Sequence, residues 1–194
     1  MSISNNSTGL RPGVCLSSSR PTAPYKGQMV YETDTDMVAI WNGTAWRYIS
    51  ATTPTNGTVL QVQTGNYSSQ TGPKSTNSYS ATGLTATITP KSSSSKVLVM
   101  FSQPLSTGAG GVTAALRLVQ TISGVDSFLQ TWSYALMSAS NVIYSSYTQN
   151  FLASPATTNA VTFRTDMSNT SNSGDVYTQV GNTPSNMTLM EIAG

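Results

Sequence analysis

The sequence predicts an all-β protein: a small N-terminal β-meander followed by an antiparallel β-sandwich or jelly roll. Three observations lead there. Thr, Val, Tyr and Ile, which suit a pleated strand, are abundant, whereas the polar helix formers Glu, Lys and Gln are scarce. The apolar residues fall into short runs. Clusters of Gly, Pro, Asn, Asp, Ser and Thr separate those runs at the spacing expected of a sandwich.

Residues 1–12 are polar, carry no periodic signal and read as an extended arm. Residues 13–50 read as a compact unit of their own, a small β-meander. Its first strand, 28–33, alternates and ends in the turn formers Asp34-Thr35-Asp36. A second strand spans 37–41, and Asn42-Gly43 predicts a type I′ hairpin whose two central residues need positive φ. A third strand returns over 45–49. Residues 51–58, rich in Thr, Pro, Gly and Asn, read as a linker, and 59–194 as one β-domain.

Candidate strands in that domain are 59–63, 77–82, 84–89, 96–102, 112–120, 127–132, 142–150, 161–166, 176–180 and 187–192. The run Val97-Leu98-Val99-Met100-Phe101 is apolar at every position, as expected of a strand buried on both faces. Two readings of it stand: core on both sides, or one face meeting another subunit. Thr188 to Ile192 is apolar almost to its end and predicts a C-terminal strand docked in the sheet, whose removal would unfold the domain.

Composition narrows function. Charged residues are 8% of the chain against an ordinary value of about 25%, and Ser plus Thr reach roughly 30%. The net charge of +2 excludes disorder driven by repulsion. The nine basic residues, Arg11, Arg20, Lys26, Arg47, Lys74, Lys91, Lys96, Arg117 and Arg164, are scattered, so no basic patch for nucleic acid is expected. The N-terminus lacks the basic and apolar regions of a secretory signal, and no run approaches about eighteen apolar residues, so neither secretion nor a membrane span is expected.

The chain has no histidine, which removes His-based triads, metal sites and acid–base work. Its one cysteine, Cys15, reads as a small apolar residue, with a thiol activated by Arg11 or Arg20 as the alternative. Glu32, Asp34 and Asp36 form the one carboxylate cluster: at period two they offer oxygens to a calcium ion, or they simply build a turn. Nothing in the sequence pairs Asp126, Asp166, Asp175 or Glu191 across a cleft as glycoside hydrolysis needs. Gly108-Ala109-Gly110-Gly111 lacks the Lys-Ser/Thr of a phosphate loop, and Lys91 to Lys96 reads as a solvated turn. Asn42, Asn56 and Asn186 begin sequons that this composition yields by chance. Tyr67, Tyr79, Trp132, Tyr134, Tyr144 and Tyr147 lie in or near Ser/Asn-rich segments and read either as a glycan- or protein-contacting surface or as core. No catalytic, cofactor-binding or metal residue is expected.

Arg20-Pro21, Pro24, Gly27-Gln28, the Tyr31-Glu32-Thr33-Asp34-Thr35 run and Trp41-Asn42-Gly43 leading to Trp46 together resemble a module of tailed-bacteriophage structural proteins. The likeness covers roughly residues 11–50. In that family the module lies near the N-terminus of tail-fibre, minor tail or head-fibre proteins, ahead of a different C-terminal domain. The segments TGLTATITPKSSSSKVLVM and MTLMEIAG are similar to C-terminal β-domains of phage appendages. The resemblance implies a jelly-roll-like fold, a homotrimer, a place in the virion after synthesis in the host cytoplasm, and contacts with other virion proteins through the N-terminal region. Four functions follow in order of expectation: a non-enzymatic minor tail or short-fibre subunit touching the host surface; a capsid fibre or decoration protein; a carbohydrate-binding sandwich; and an enzyme.

Overall fold

The structure, a computed structural model, describes residues 12–49, 54–108, 111–136 and 144–194. The arm expected over 1–12 lies almost wholly outside these residues, as do 51–53 of the expected linker. The chain divides into two compact units, Met1–Thr53 and Pro54–Gly194.

In the first unit, β1 (Gly13–Cys15) runs parallel to β2 (Met29–Glu32), and β2, β3 (Met37–Trp41) and β4 (Trp46–Tyr48) form an antiparallel meander. β1 is too short and too exposed to leave a pattern in the sequence. The hairpin at Asn42-Gly43 is present, but its loop differs from the expected two-residue turn. Trp41 pairs with Trp46, so four residues form the loop, and Asn42 has no positive φ. The Asn42 side chain accepts from the Thr44 and Ala45 amides at 2.9 Å each. That Asx turn holds the chain while Gly43 takes φ 104°.

The second unit is a sandwich of two sheets. The first row is β5 (Val59–Tyr67) continued by β6 (Thr71–Lys74). Then come β7 (Ser80–Ile88), β8 (Lys96–Thr107), β9 (Val112–Ile122), β10 (Val125–Leu136), β11 (Tyr144–Ala153) and β12 (Val161–Asn169). The last row is β13 (Val176–Thr178) continued by β14 (Ser185–Ile192). In one sheet β14 and β13 lie between β5 with β6 and β8, and β11 closes the other edge of β8. The other sheet runs β10-β9-β12-β7. Counting each split row once, the sheets read 1-8-3-6 and 5-4-7-2, the connectivity of an eight-stranded jelly roll.

Alternation builds the core. Thr82, Leu84, Ala86 and Ile88 of β7 are buried, as are Val97, Val99, Phe101, Gln103 and Leu105 of β8. Phe163 and Met167 of β12 and Met187 and Leu189 of β14 complete the interior. Fully burying side chains of this size stabilises by about 1.5–3 kcal/mol each. Trp132 meets Phe101 edge-on at 5.5 Å and 70°.

Three expectations are corrected. Segments 77–82 and 84–89 give a single strand, Ser80–Ile88, with Gly83 at φ 87° inside a bulge where β12 passes from Arg164↔Thr85 to Asp166↔Ala81. A Cβ on Gly83 would meet the Tyr67 ring at 2.2 Å, so only glycine fits there. β6 was not expected, because TGPK reads as a turn. Finally, Val97–Phe101 is not buried on both faces: Val97, Val99 and Phe101 face the core, and Leu98 and Met100 are half-buried on the outside.

Candidate interaction surfaces

The motif residues of the first unit hold that unit together. Glu32 is fully buried at the end of β2 and forms an ion pair with Arg20. Its second oxygen accepts from Tyr48 at 3.0 Å and Thr35 at 3.1 Å, and Arg20 Nη2 donates to the Tyr48 hydroxyl at 2.7 Å. The Arg20 hydrogen bond, opposed by burial, holds the Glu32 carboxyl below its ordinary range. Asp34 accepts from the Ser17 amide at 2.8 Å and from the Ser17 hydroxyl, and Asp36 accepts from Tyr31. The three carboxylates therefore share no partner: Glu32 goes to Arg20, Tyr48 and Thr35, Asp34 to Ser17 and Asp36 to Tyr31. The turn reading holds, and among the described residues no acidic or sulfur group gathers for a metal. Trp41 and Trp46 pack at 5.7 Å, and Gln28 accepts from the Tyr25 amide at 3.2 Å. Cys15 is half-buried in β1, and its carbonyl accepts from the Thr33 amide.

The outer face of the β10-β9-β12-β7 sheet is charged and satisfied within itself. Asp166, 2% exposed, accepts from Arg117 at 2.8 and 3.1 Å and from Arg164 Nε at 3.0 Å. Arg164 reaches on to Asp126 at 2.6 and 3.0 Å. Hydrogen bonds from Arg164, then from Thr121, hold the Asp126 carboxyl down at about 2. The Arg117 guanidinium lies between the rings of Tyr79 and Phe128, 4.2 and 4.0 Å from their centroids. Asp126 and Asp166 are thus joined through Arg164 and committed to ion pairs.

The outer face of the other sheet is its opposite. Cross-strand pairing sets side chains in rows. One row is Val62, Met190, Leu98 and Leu152, with Val62 48% and Leu152 49% exposed. The next is Thr64, Thr188, Met100 and Asn150, followed by Asn66, Asn186, Ser102 and Thr148. Pro104 and Ser146 follow, and the last row is Tyr177, Ser106 and Tyr144. There Tyr144, Pro104, Ser106, Val180 and Thr183 line a shallow cleft of about 230 Å³. No residue in these rows carries a charge; Lys96 lies at one margin and Asp175 at the other.

The remaining sequence candidates divide cleanly. Tyr67, Trp132 and Tyr147 pack against the core, and Tyr79 covers Arg117. Tyr144 is exposed, and the Tyr134 side chain lies outside the described residues. Glu191 is buried in β14. Burial raises its pKa, but hydrogen bonds led by Gln61 at 2.6 Å, with the Lys91 amide at 2.7 Å, outweigh this and hold the carboxyl low. Gly108 and Gly111 flank the β8–β9 connection, whose residues 109–110 lie outside the described ones. The outer side of β8 is the one for which the sequence offered a second subunit, but the rows across β5, β14 and β11 were not expected. Their signal was present in Leu98, Met100 and Met190, apolar where an alternating strand facing water would be polar.

No protein-family model and no curated protein matches the chain. Among solved structures it is similar to one titled "Structure of infectious bursal disease virus Gx strain", at 10% identity and a TM-score of 0.35. The match covers 82% of this chain and 42% of that one, so the chain spans less than half of its neighbour's length.

Proposed function

We propose that this protein is a non-enzymatic structural subunit of a bacteriophage particle, an oligomeric tail-associated appendage of the minor tail or short-fibre type. The observation that carries the reading is the Arg20–Glu32–Tyr48–Thr35 network. Arg20, Glu32 and Thr35, three of the residues by which the sequence resembles the phage module, are bonded to one another there through the Glu32 carboxylate, with Tyr48 as the fourth member. A motif whose members hold each other, with no metal cluster and no paired free carboxylates among the described residues, supports an attachment module rather than an active site. In this reading the module docks on a symmetric particle component and presents the jelly roll, three copies together, to neighbouring virion proteins and the host surface.

A second reading places the same subunit on the capsid as a fibre or decoration protein. The distance along the chain favours it: only ten residues separate Tyr48, the end of β4, from Val59, the start of β5. That leaves no length for a shaft between them.

The test is incorporation. In a phage encoding this chain, deletion of residues 1–50 is expected to leave a soluble jelly roll that is absent from purified particles. Unchanged incorporation of the deleted form would overturn the assignment of attachment to this module.

A further inference from the structure

We propose that copies of this chain meet one another across the outer face of the β5-β14-β8-β11 sheet, from the Val62–Met190–Leu98–Leu152 row to the Tyr177–Ser106–Tyr144 row. The proposal rests on the oligomeric reading above and names the surface that serves it.

Alternation is the first argument. A sheet face turned to water carries polar side chains at every second position. Between the buried positions of β8 and β14, Leu98, Met100, Met190 and Ile192 are apolar where that rule calls for polar residues. Leu98, Met100, Met190, Val62 and Leu152 form an apolar band across all four strands, with Val62 and Leu152 half exposed. Contiguous bands of this kind mark interaction sites.

Charge identifies the occupant. The rows carry no charged side chain between the Lys96 and Asp175 margins, so nucleic acid and strongly acidic or basic partners find no complement. A copy of the same face does. An uncharged surface repeats around a symmetry axis without bringing like charges together, and the hydroxyls and amides of the middle rows, such as Thr64, Thr188, Asn66, Asn186, Ser102 and Asn150, both donate and accept.

Size agrees. With about 4.8 Å between strands and about 3.3 Å per residue, four strands over the length of β8 project roughly 600 Å². Side-chain relief brings this to the order of the ~800 Å² per partner that stable interfaces use.

The experiment is sedimentation equilibrium of the full-length chain and of Met100→Glu, Leu152→Glu and Thr87→Glu, with circular dichroism melts to establish folding. Thr87 lies exposed on the other sheet. The wild type and Thr87→Glu are expected to sediment as the same oligomer. Met100→Glu and Leu152→Glu each place a repeated carboxylate in the contact and are expected to raise the dissociation midpoint by roughly 100-fold or more. A second readout does not depend on those variants folding. The thiol introduced by Asn150→Cys is expected to react with a maleimide at least about tenfold more slowly in the oligomer than after dilution to monomer. An oligomer that survives both glutamates, with that introduced thiol equally reactive in oligomer and monomer, would overturn this face while leaving the oligomeric reading standing. A wild-type chain that is monomeric at all accessible concentrations would overturn both.

Discussion

The two outer faces of the jelly roll are built from strands of the same kind, and they solve the problem of exposure in opposite ways. On the β10-β9-β12-β7 sheet, two arginines and two aspartates bond to one another and two aromatic rings cover Arg117. The charges there are spent on each other. On the outer face of the β5-β14-β8-β11 sheet, between Lys96 and Asp175, the side chains are neutral, apolar in one band and hydroxyl- or amide-bearing in the next, and the apolar band is open. An outer face without charged side chains is free of the repulsion that would keep identical copies apart.

The largest effect is expected from breaking the closed face at its centre. Asp166→Ala leaves the partly buried Arg117 without its anion and takes from Arg164 one of its two, the other being Asp126. It should cost about 3–5 kcal/mol in a urea melt. A loss below about 1 kcal/mol would mean that the network is an ordinary surface ion pair. Oligomerisation, read in the same samples before the melt begins, should be unchanged if the two faces act independently.

Acid sharpens the comparison with a smaller effect. Asp126 is held at about 2 in the folded chain, below its ordinary range near 3.9. Its contribution is therefore complete above about pH 4 and is lost as the pH falls towards 2. Glu32 is shifted in the same direction in the first unit. Urea midpoints followed from pH 6 to 2 should fall through that window, and Asp126→Asn should remove part of the slope. Self-association, by contrast, should not change between about pH 5 and 8, because the open face has no charged side chain and the chain has no histidine to titrate there. A strongly pH-dependent oligomer in that range would contradict an uncharged contact.

Much of the fold was legible because local chemistry and tertiary structure agree. Strand after strand in the second unit follows a run with period-two burial, and the C-terminal strand is docked between β5 and β8 as its apolar run implied. Where the sequence misled, a glycine or a side-chain hydrogen bond had more than one use. Gly83 reads as punctuation but forms a bulge under Tyr67, and Asn42 reads as a left-handed turn residue but caps a four-residue loop with its side chain. The charged network was invisible because Arg117, Asp126, Arg164 and Asp166 come together only through strand pairing. The open face was half legible. The unbroken apolar run Val97–Phe101 announced two apolar sides, but the sequence could not say whether its own chain or a second one covers the outer side.

The place of the protein on a particle is the claim on which the account turns, and immunogold labelling of intact phage tests it most directly. Label at the tail or its tip is the predicted result. Label spread over the head would transfer the same architecture to a capsid fibre or decoration protein. Particles that carry no label, with the antibody shown to bind the purified chain, would contradict a structural role in the virion.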